Sequence, residues 1–356
     1  MPQKSKWSNF SGWSAATCRR FSIPKPRHVA ALQILLSSAA HAYNPAAGDF
    51  TKIRETDLRV LTWNTERNIV LTSSTADEFD RVLKAIRPDV IGLQEVPVDV
   101  TASQLSATIG NSLPIVGGSW QVVLGQTDGF IRPAIVSRYP LSLTRTDTSP
   151  ASEVRGVTMA LVDLPNATHS ADFYFMVVHL KCCSGSAEEA RRRTALDAMT
   201  GWLRDARTPG GVITLPTNTP FGITGDFNLN TVDSPASEAA FLIGDIANNA
   251  TYGADSPPDW DGTAMTEARS ADPFTGDTDT WNSSTTNPSV RFDRLYYSDS
   301  ATSLGAKFIF NPRTMTSTIR GIIGVNQTDV STATDHLPVV FDVQVPLVQR
   351  GGWTLR

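Results

Sequence analysis

Apolar residues in this chain gather into short β-type runs parted by polar stretches, and in two places they take a helical period. Leu58 to Trp63, rich in Val, Leu and Thr, predicts a first strand. Asp77 to Ile86 puts Phe79, Val82, Leu83 and Ile86 on one face and predicts a helix. Thr75 with Glu78 reads as a capping box for it, and Pro88 as its stop. Val90 to Val96 opens on a continuous apolar run, the pattern of a strand buried on both faces. Ile131 to Val136 and Gly156 to Leu164 predict strands on either side of a turn at Tyr139-Pro140, and Phe173 to Leu180 is strongly β-type. Ser186 to Arg207 reads as the second helix, lined by Ala195, Met199, Trp202 and Leu203, with Ser186 and Glu189 as its capping box. Phe221 to Thr224, Val290 to Tyr297 and Val339 to Val345 complete the strands. Tyr252 to Pro288, dense in Asp, Ser, Thr, Gly and Pro, predicts a long surface loop broken at most by short elements. Its acids do not have EF-hand spacing and read as a solvated surface.

Composition changes the picture at the N-terminus. Apolar content of 40% and charged content of 19% over 356 residues describe an ordinary globular chain. The net charge of -4 is uneven: residues 1–42 hold six basic residues and no acid, which leaves 25 basic against 35 acidic residues beyond them. Within that segment a basic flank (Lys25 to His28), a short apolar stretch (Val29 to Ala40) and Ala40-His41-Ala42 have the layout of an export signal. The expected organisation is therefore a leader over 1–42, a domain over 43–349 and a tail over 350–356, with a secreted or periplasmic product. Cys18 would leave with the leader. Cys182 and Cys183 are adjacent: they read either as a pair whose bridge is strained but which an oxidising compartment permits, or as two small apolar residues at a strand end. Arg191, Arg192 and Arg193 form the densest basic cluster; helical spacing splays them, and a solvated face is the expectation.

Four short motifs carry the chemistry: Thr62-Trp63-Asn64, Leu93-Gln94-Glu95-Val96, Gly225-Asp226-Phe227-Asn228 and Thr334-Asp335-His336-Leu337-Pro338. Each lies where a predicted strand meets a loop. Glu95 follows four residues of buried-strand character, where a carboxylate is costly unless paired or metal-bound. The Asn64 amide can complete a Mg²⁺ shell through its oxygen or hold a phosphate oxygen through its NH₂. Asp226 and Asn228, two apart on an extended segment, share a face, so that a carboxylate that orients water lies beside an amide donor. His179 and His336 end or precede β runs, with Asp335 beside His336 and Asp293 interrupting another run. An acid paired with an imidazole raises its pKa and fixes its orientation. Hard oxygen donors with His beside Asp suit metal-assisted attack on phosphorus.

These residues resemble the endonuclease/exonuclease/phosphatase superfamily, also called DNase I-like. The resemblance runs from about Leu58 to Val345 through LTWN (61–64), DVIGLQEV (89–96), AIVSRYPL (134–141), FYFMVVHLK (173–181), GITGDFN (222–228), RFDRLYYS (291–298) and TDHLPVVFDV (334–343). It implies an α+β fold: a four-layer α/β/β/α sandwich of two mostly antiparallel sheets packed face to face, with helices outside. It also implies a Mg²⁺ site, with Mn²⁺ as an alternative, that involves Asn64, Glu95 and Asp335. His179 would contact the phosphate, Asp226 orient the nucleophile, Asn228 stabilise the transition state and Asp293 pair with His336. The resemblance leaves Asp226, Asp335 and His336 as alternatives for the base. One departure is Thr334, where the family usually has Ser; the hydroxyl is kept. Asp279-Thr280-Trp281-Asn282 and Arg291-Phe292-Asp293-Arg294 also resemble the tyrosyl-DNA phosphodiesterase branch.

The function implied is a metal-dependent phosphoesterase, foremost a phosphodiesterase with a nucleic-acid substrate. The alternatives are a sphingomyelinase-like phospholipase C or inositol-phosphate phosphatase, for which Trp260 and Trp281 are the candidate lipid-facing aromatics, and a non-catalytic binding module. Retention of Glu95, Asp226, Asp293 and Asp335 argues against the last. The apolar stretch at Val29 to Ala40 is too short to span a bilayer.

Overall fold

Twelve strands, β1 to β12, and seven helices, α1 to α7, make up the described residues of the computed structural model, which are 43–69, 75–146, 155–230, 234–281 and 288–349. All of them belong to the unit Ala40–Arg356. The leader, Cys18, Asn282 and the tail lie outside the described residues. In chain order the elements are β1 (Leu58–Asn64), α1 (Ala76–Ile86), β2 (Val90–Pro97), α2 (Ala102–Ser112), β3 (Gln121–Leu124), β4 (Ile131–Ser137), β5 (Leu141–Arg145) and β6 (Val157–Val162). They continue with β7 (Phe173–His179), α3 (Ser186–Ala206), β8 (Phe221–Asp226), α4 (Pro235–Ile243), α5 (Asn249–Tyr252), β9 (Thr266–Glu267), β10 (Asp293–Tyr297), β11 (Ser303–Ile309), α6 (Ser317–Ile323), α7 (Asp329–Ala333) and β12 (Val339–Gln344).

The strands form two six-stranded sheets, ordered β11-β12-β1-β2-β4-β3 and β5-β6-β7-β8-β10-β9. Only the central pairs, β1 with β2 and β7 with β8, are parallel. Leu58, Val60 and Val90 of one sheet pack against Phe173, Phe175 and Val177 of the other, which makes the inner core. Outside the first sheet, Leu61, Trp63, Ile91 and Leu93 pack with α1 and α2 residues such as Phe79 and Leu105. Outside the second, Tyr174, Met176 and Ile223 pack with Leu196 and Met199 of α3. This is the expected four-layer α/β/β/α sandwich of α+β class.

Strand period two then places the site. The alternation that turns Leu58 and Val60 inward ends on Asn64, and the one that turns Phe173, Phe175 and Val177 inward ends on His179. Asp226 lies opposite both His179 on β7 and Asp293 on β10. Because each central pair is parallel, the carboxyl ends of β1, β2, β7 and β8 come out at one end of the sandwich.

Gly225, just before Asp226, has φ +137, and a Cβ there would lie 2.1 Å from the Val178 carbonyl oxygen. Only glycine lets β8 approach β7 this closely while holding that backbone angle. Gly225→Ala should therefore destabilise by at least ~1–3 kcal/mol, read as a lower urea midpoint. An unchanged midpoint would show that the strand pair yields without cost.

Local details depart from the sequence reading. Thr75 is the N-cap of α1 but makes no capping bond; its hydroxyl donates to Asn68 O at 3.3 Å. At α3 the cap is Gly185 and Ser186 is already helical, while Glu189 accepts from Ser234 and pairs with Arg192. A capping box forms instead at Thr101 and Gln104 of α2. The arginine cluster is not a solvated face: Arg192 is fully buried and donates to the carbonyls of Lys181 and Cys183. Arg193 pairs with Asp197 and Asp245, while Arg191 reaches Glu188. Among its described residues the long loop is irregular, with β9 as a short interruption, but its acids are not all solvated: Asp259 and Asp272 are buried and accept from the hydroxyls of Ser300 and Thr314.

Candidate active site

Residues from six separated stretches meet at the end of the sandwich. Asn64 Nδ2 donates to Asp226 Oδ2 at 3.1 Å and to Glu95 Oε1 at 3.3 Å, so one amide joins both sheets. Its Oδ1 accepts from the Glu66 backbone N–H. Asp226 Oδ1 accepts from the Asn228 backbone N–H at 2.9 Å, which fixes the second carboxylate oxygen. Glu95 sits at a bulge in the β2–β4 pairing with φ +57. The bulge lets it leave the strand alternation and point at the site.

The two imidazoles are held in opposite states. His336 Nδ1 and Asp293 Oδ2 are 2.7 Å apart, and Nε2 is 3.8 Å from Asp226 Oδ2. Burial alone would lower its pKa, but the charges of Asp293, Asp226 and Asp335 and the Asp293 hydrogen bond raise it to about 9. His179 Nδ1 lies 2.6 Å from an Arg155 guanidinium nitrogen. A guanidinium can only donate, so Nδ1 accepts and the proton sits on Nε2, which is 3.4 Å from Asp226 Oδ2. Burial first, then the charges of Arg155, His336 and Lys181, hold His179 well below its usual value. Asp226 is lifted by burial to about 7: His336 opposes the shift, Asp293 adds to it, and the bonds from Asn228 and Asn64 oppose it.

The supports are specific. Thr280 Oγ1 donates to Asp293 Oδ2 at 2.7 Å and accepts from the N–H groups of Phe292 and Asp293. Trp63 Nε1 donates to His336 O. Thr334 Oγ1 donates to Asn64 O and accepts from His336 N–H, so the hydroxyl kept at that position ties the first and last motifs together. Trp281 Nε1 donates to Asp335 Oδ2 at 2.9 Å.

A shift of His336 from about 6.5 in the unfolded chain to about 9 in the folded one makes stability depend on pH. The favourable contribution is complete below the unfolded value and is lost as pH rises through the folded value. In EDTA, the melting temperature of the wild type should fall more steeply between pH 7 and pH 9.5 than that of His336→Gln. Parallel slopes would deny the charged imidazole.

The site opens into a cavity of about 440 Å³. Glu95, His179, Asp226, Asn228, Asp335 and His336 line its polar side, and Trp281, Val290 and Phe292 its apolar side. Asn228 Nδ2 donates to Leu180 O at 3.2 Å, so one of its two amide hydrogens is already committed. Among the described residues no three His, Cys, Asp or Glu side chains are close enough together to enclose an ion. The donor chemistry nevertheless fits a hard cation. Burial, then the charges of Asp335 and Glu95, raise the Glu66 carboxyl above its usual value, as expected where acids crowd one corner. Glu95 and Asp335 supply the oxygens there, whereas Asn64 meets Glu95 through its NH₂.

All eight residues singled out from the sequence thus converge. Arg155, Glu66 and Thr280 were not among them. Arg155 and Glu66 carry no local signal, because their roles arise from partners far away in the chain.

The model of the Endonuclease/Exonuclease/phosphatase family matches residues 61–336. The chain belongs to this family. Membership places the protein among phosphoester hydrolases, a class generally dependent on divalent metal. Among solved structures, the fold is similar to that of D. rerio TDP2 complexed with a single-strand DNA product, at 16% identity over 82% of this chain and 100% of that one, with a TM-score of 0.52. It is also similar to an endonuclease/exonuclease/phosphatase from Beutenbergia cavernae (19% identity, 82% and 72% covered, TM-score 0.51). A third is the mannosyl-6-phosphatase of Bacteroides thetaiotaomicron (13% identity, 80% and 99% covered, TM-score 0.51). At such identities the likeness is one of fold. No curated protein matches the sequence.

Proposed function

We propose that this family member is a secreted or periplasmic Mg²⁺-dependent phosphodiesterase acting on nucleic acid, with Mn²⁺ able to replace Mg²⁺. The observation that carries the reading is the Asp226 carboxylate held between a charged and a neutral imidazole. With its pKa raised to about 7, Asp226 accepts the proton of an attacking water near neutral pH. The N–H groups of Asn64 and Asn228 hold both of its oxygens, so the direction of proton transfer is set before substrate arrives. His336, charged and oriented by Asp293, donates from Nε2 to the phosphoryl oxygens as negative charge grows on them. His179 donates from Nε2 without adding net charge, and the second amide hydrogen of Asn228 is directed to the same oxygens. A divalent cation held by Glu95 and Asp335 would neutralise the phosphate and the leaving oxygen.

Trp281 and Phe292, 5.3 Å apart at the apolar wall, give a surface on which a base can stack. The solved TDP2 complex with a single-strand DNA product supports the same class of substrate. One observation favours a lipid instead. Phe130, in the β3–β4 turn, is 77% exposed. Trp260 does not serve that role, since its ring lies against Arg207 and its indole N–H donates to Thr219 O.

A panel of single- and double-stranded DNA, RNA, bis-p-nitrophenyl phosphate, inositol phosphates and sphingomyelin vesicles tests the reading. Single-stranded DNA should be hydrolysed with Mg²⁺ and should survive in EDTA. Cleavage of sphingomyelin alone would replace the nucleic-acid assignment with the lipid one. Turnover that persists in EDTA would remove the metal. Export is tested by N-terminal sequencing of the product outside the cell, which should begin at Tyr43.

A further inference from the structure

Cys182 and Cys183 line the same cavity as the catalytic side chains, three and four residues after His179. Their sulfurs are 2.8 Å apart and both are free thiols. That is inside ordinary sulfur contact and beyond the ~2.05 Å of a bond. Two features hold the pair in this state. Cys183 has φ +79, a conformation that a residue with a Cβ adopts only when its surroundings impose it. The buried Arg192 imposes it, since one guanidinium nitrogen donates to both Lys181 O at 2.9 Å and Cys183 O at 2.7 Å. A turn of α3 therefore grips the backbone on either side of Cys182.

We propose that Cys182 and Cys183 form a reversible dithiol–disulfide site at the wall of the catalytic cavity, oxidised by low-molecular-weight disulfides. Lys181 Nζ donates to Cys182 Sγ at 3.5 Å and so faces the negative charge of the attacking sulfur. The Cys183 thiol is raised by its bond to Cys182 and by burial, which makes it the second to react. In the first step the Cys182 thiolate attacks one sulfur of a disulfide R–S–S–R; a mixed disulfide forms and one R–S⁻ leaves, taking up a proton. Cys183 then gives up its proton, attacks Cys182 Sγ and expels the second R–S⁻. Two thiols lose two electrons and two protons, and the oxidant leaves as two R–SH. Adjacent α-carbons are only 3.8 Å apart, shorter than the usual span of a bridge. Ring strain therefore makes the product easily reduced, as a reversible site requires.

The bridge bears on catalysis through the chain that joins it to the site. Leu180 N–H donates to Asp226 O, and Leu180 O accepts from Asn228 Nδ2. Closing the ring turns the backbone at 182–183 and pulls on this connection. This second effect rests on the proposed phosphodiesterase activity; the bridge itself does not.

The test uses the full chain carrying Cys18→Ser, equilibrated in glutathione buffers from fully reduced to fully oxidised, acid-quenched and alkylated. Mass spectrometry of the peptide carrying both cysteines should show a species lighter by two hydrogens, appearing as the disulfide fraction rises and removed by dithiothreitol. In parallel, hydrolysis of bis-p-nitrophenyl phosphate should fall by roughly tenfold, within the ~10²-fold that a 1 Å misplacement can cost, and recover on reduction. Cys182→Ser should form no bridge and Cys183→Ser should stop at the glutathione adduct on Cys182, so that neither yields the species lighter by two hydrogens. Thiols that stay reduced throughout, or that stop at stable glutathione adducts, overturn the site. A bridge that closes with no change in rate overturns its link to catalysis. A protein inactive in every buffer refutes the function while the masses still decide the bridge.

Discussion

Asp226→Asn is expected to lower kcat on bis-p-nitrophenyl phosphate by ~10²–10⁴-fold while making stability less dependent on pH than in the wild type. The two halves have one cause. Burial lifts the Asp226 carboxyl to about 7, so folding opposes its ionisation. With the folded pKa above the unfolded value of ~3.9, the wild type loses stability relative to the Asn variant as pH climbs from about 4 to about 7. The amide keeps the shape and can accept from the Asn228 N–H, but its NH₂ then faces the Asn64 amide donor, and it cannot take a proton from water. Urea unfolding in EDTA at pH 5 and pH 8 should show the variant gaining on the wild type as pH rises, while steady-state kinetics show the loss of rate. Wild-type turnover in the variant would remove Asp226 from the chemistry. A stability deficit that is the same at both pH values would remove the account of its pKa. His336→Ala should lose activity on a comparable scale.

Arg59→Leu should produce the largest loss of stability. Arg59 Nε and Nη2 donate to the two oxygens of Asp342, each at 2.7 Å, in a fully buried fork between β1 and β12. Nη1 donates to Phe50 O and Ile86 O. Removing the guanidinium leaves a carboxylate buried and unpaired, at a cost of ~3–5 kcal/mol. The double variant Arg59→Leu/Asp342→Leu removes the stranded charge but leaves the two carbonyls without their donor. It should therefore lie between the single variant and the wild type in urea unfolding. A single variant no less stable than the double would show that the buried pair is not what holds these strands.

Much of this site was readable because catalytic chemistry at strand ends is local in sequence. Asn64, Glu95, Asp226 and His336 each follow or precede a β run, and strand period two decides their face. His336 was readable together with its partner, because Asp293 breaks an apolar run where an unpaired acid would be expensive. What was not readable depends on distance. The proton position on His179 is set by Arg155, which is 24 residues earlier and on another strand's approach. Glu66 follows a motif but earns its role from Asp335. The misplaced caps have a similar origin: Thr75 and Glu189 have the right residue types at the right spacing, but their side chains go to Asn68 and to Ser234 and Arg192. The burial of Arg192 contradicts every local signal of a basic triplet, because two carbonyls at the end of β7 need its donors.

β1, among the first strands to leave the ribosome, lies in its sheet between β2 and β12, the last strand in sequence. Leu58 pairs with Val343, and His336 arrives on the approach to β12. A polypeptide made only as far as β11 therefore lacks both the β12 neighbour of its first strand and the charged imidazole. The cluster of acids and imidazoles cannot be completed before residue 336 has been added, and β1 gains its second neighbour only with β12.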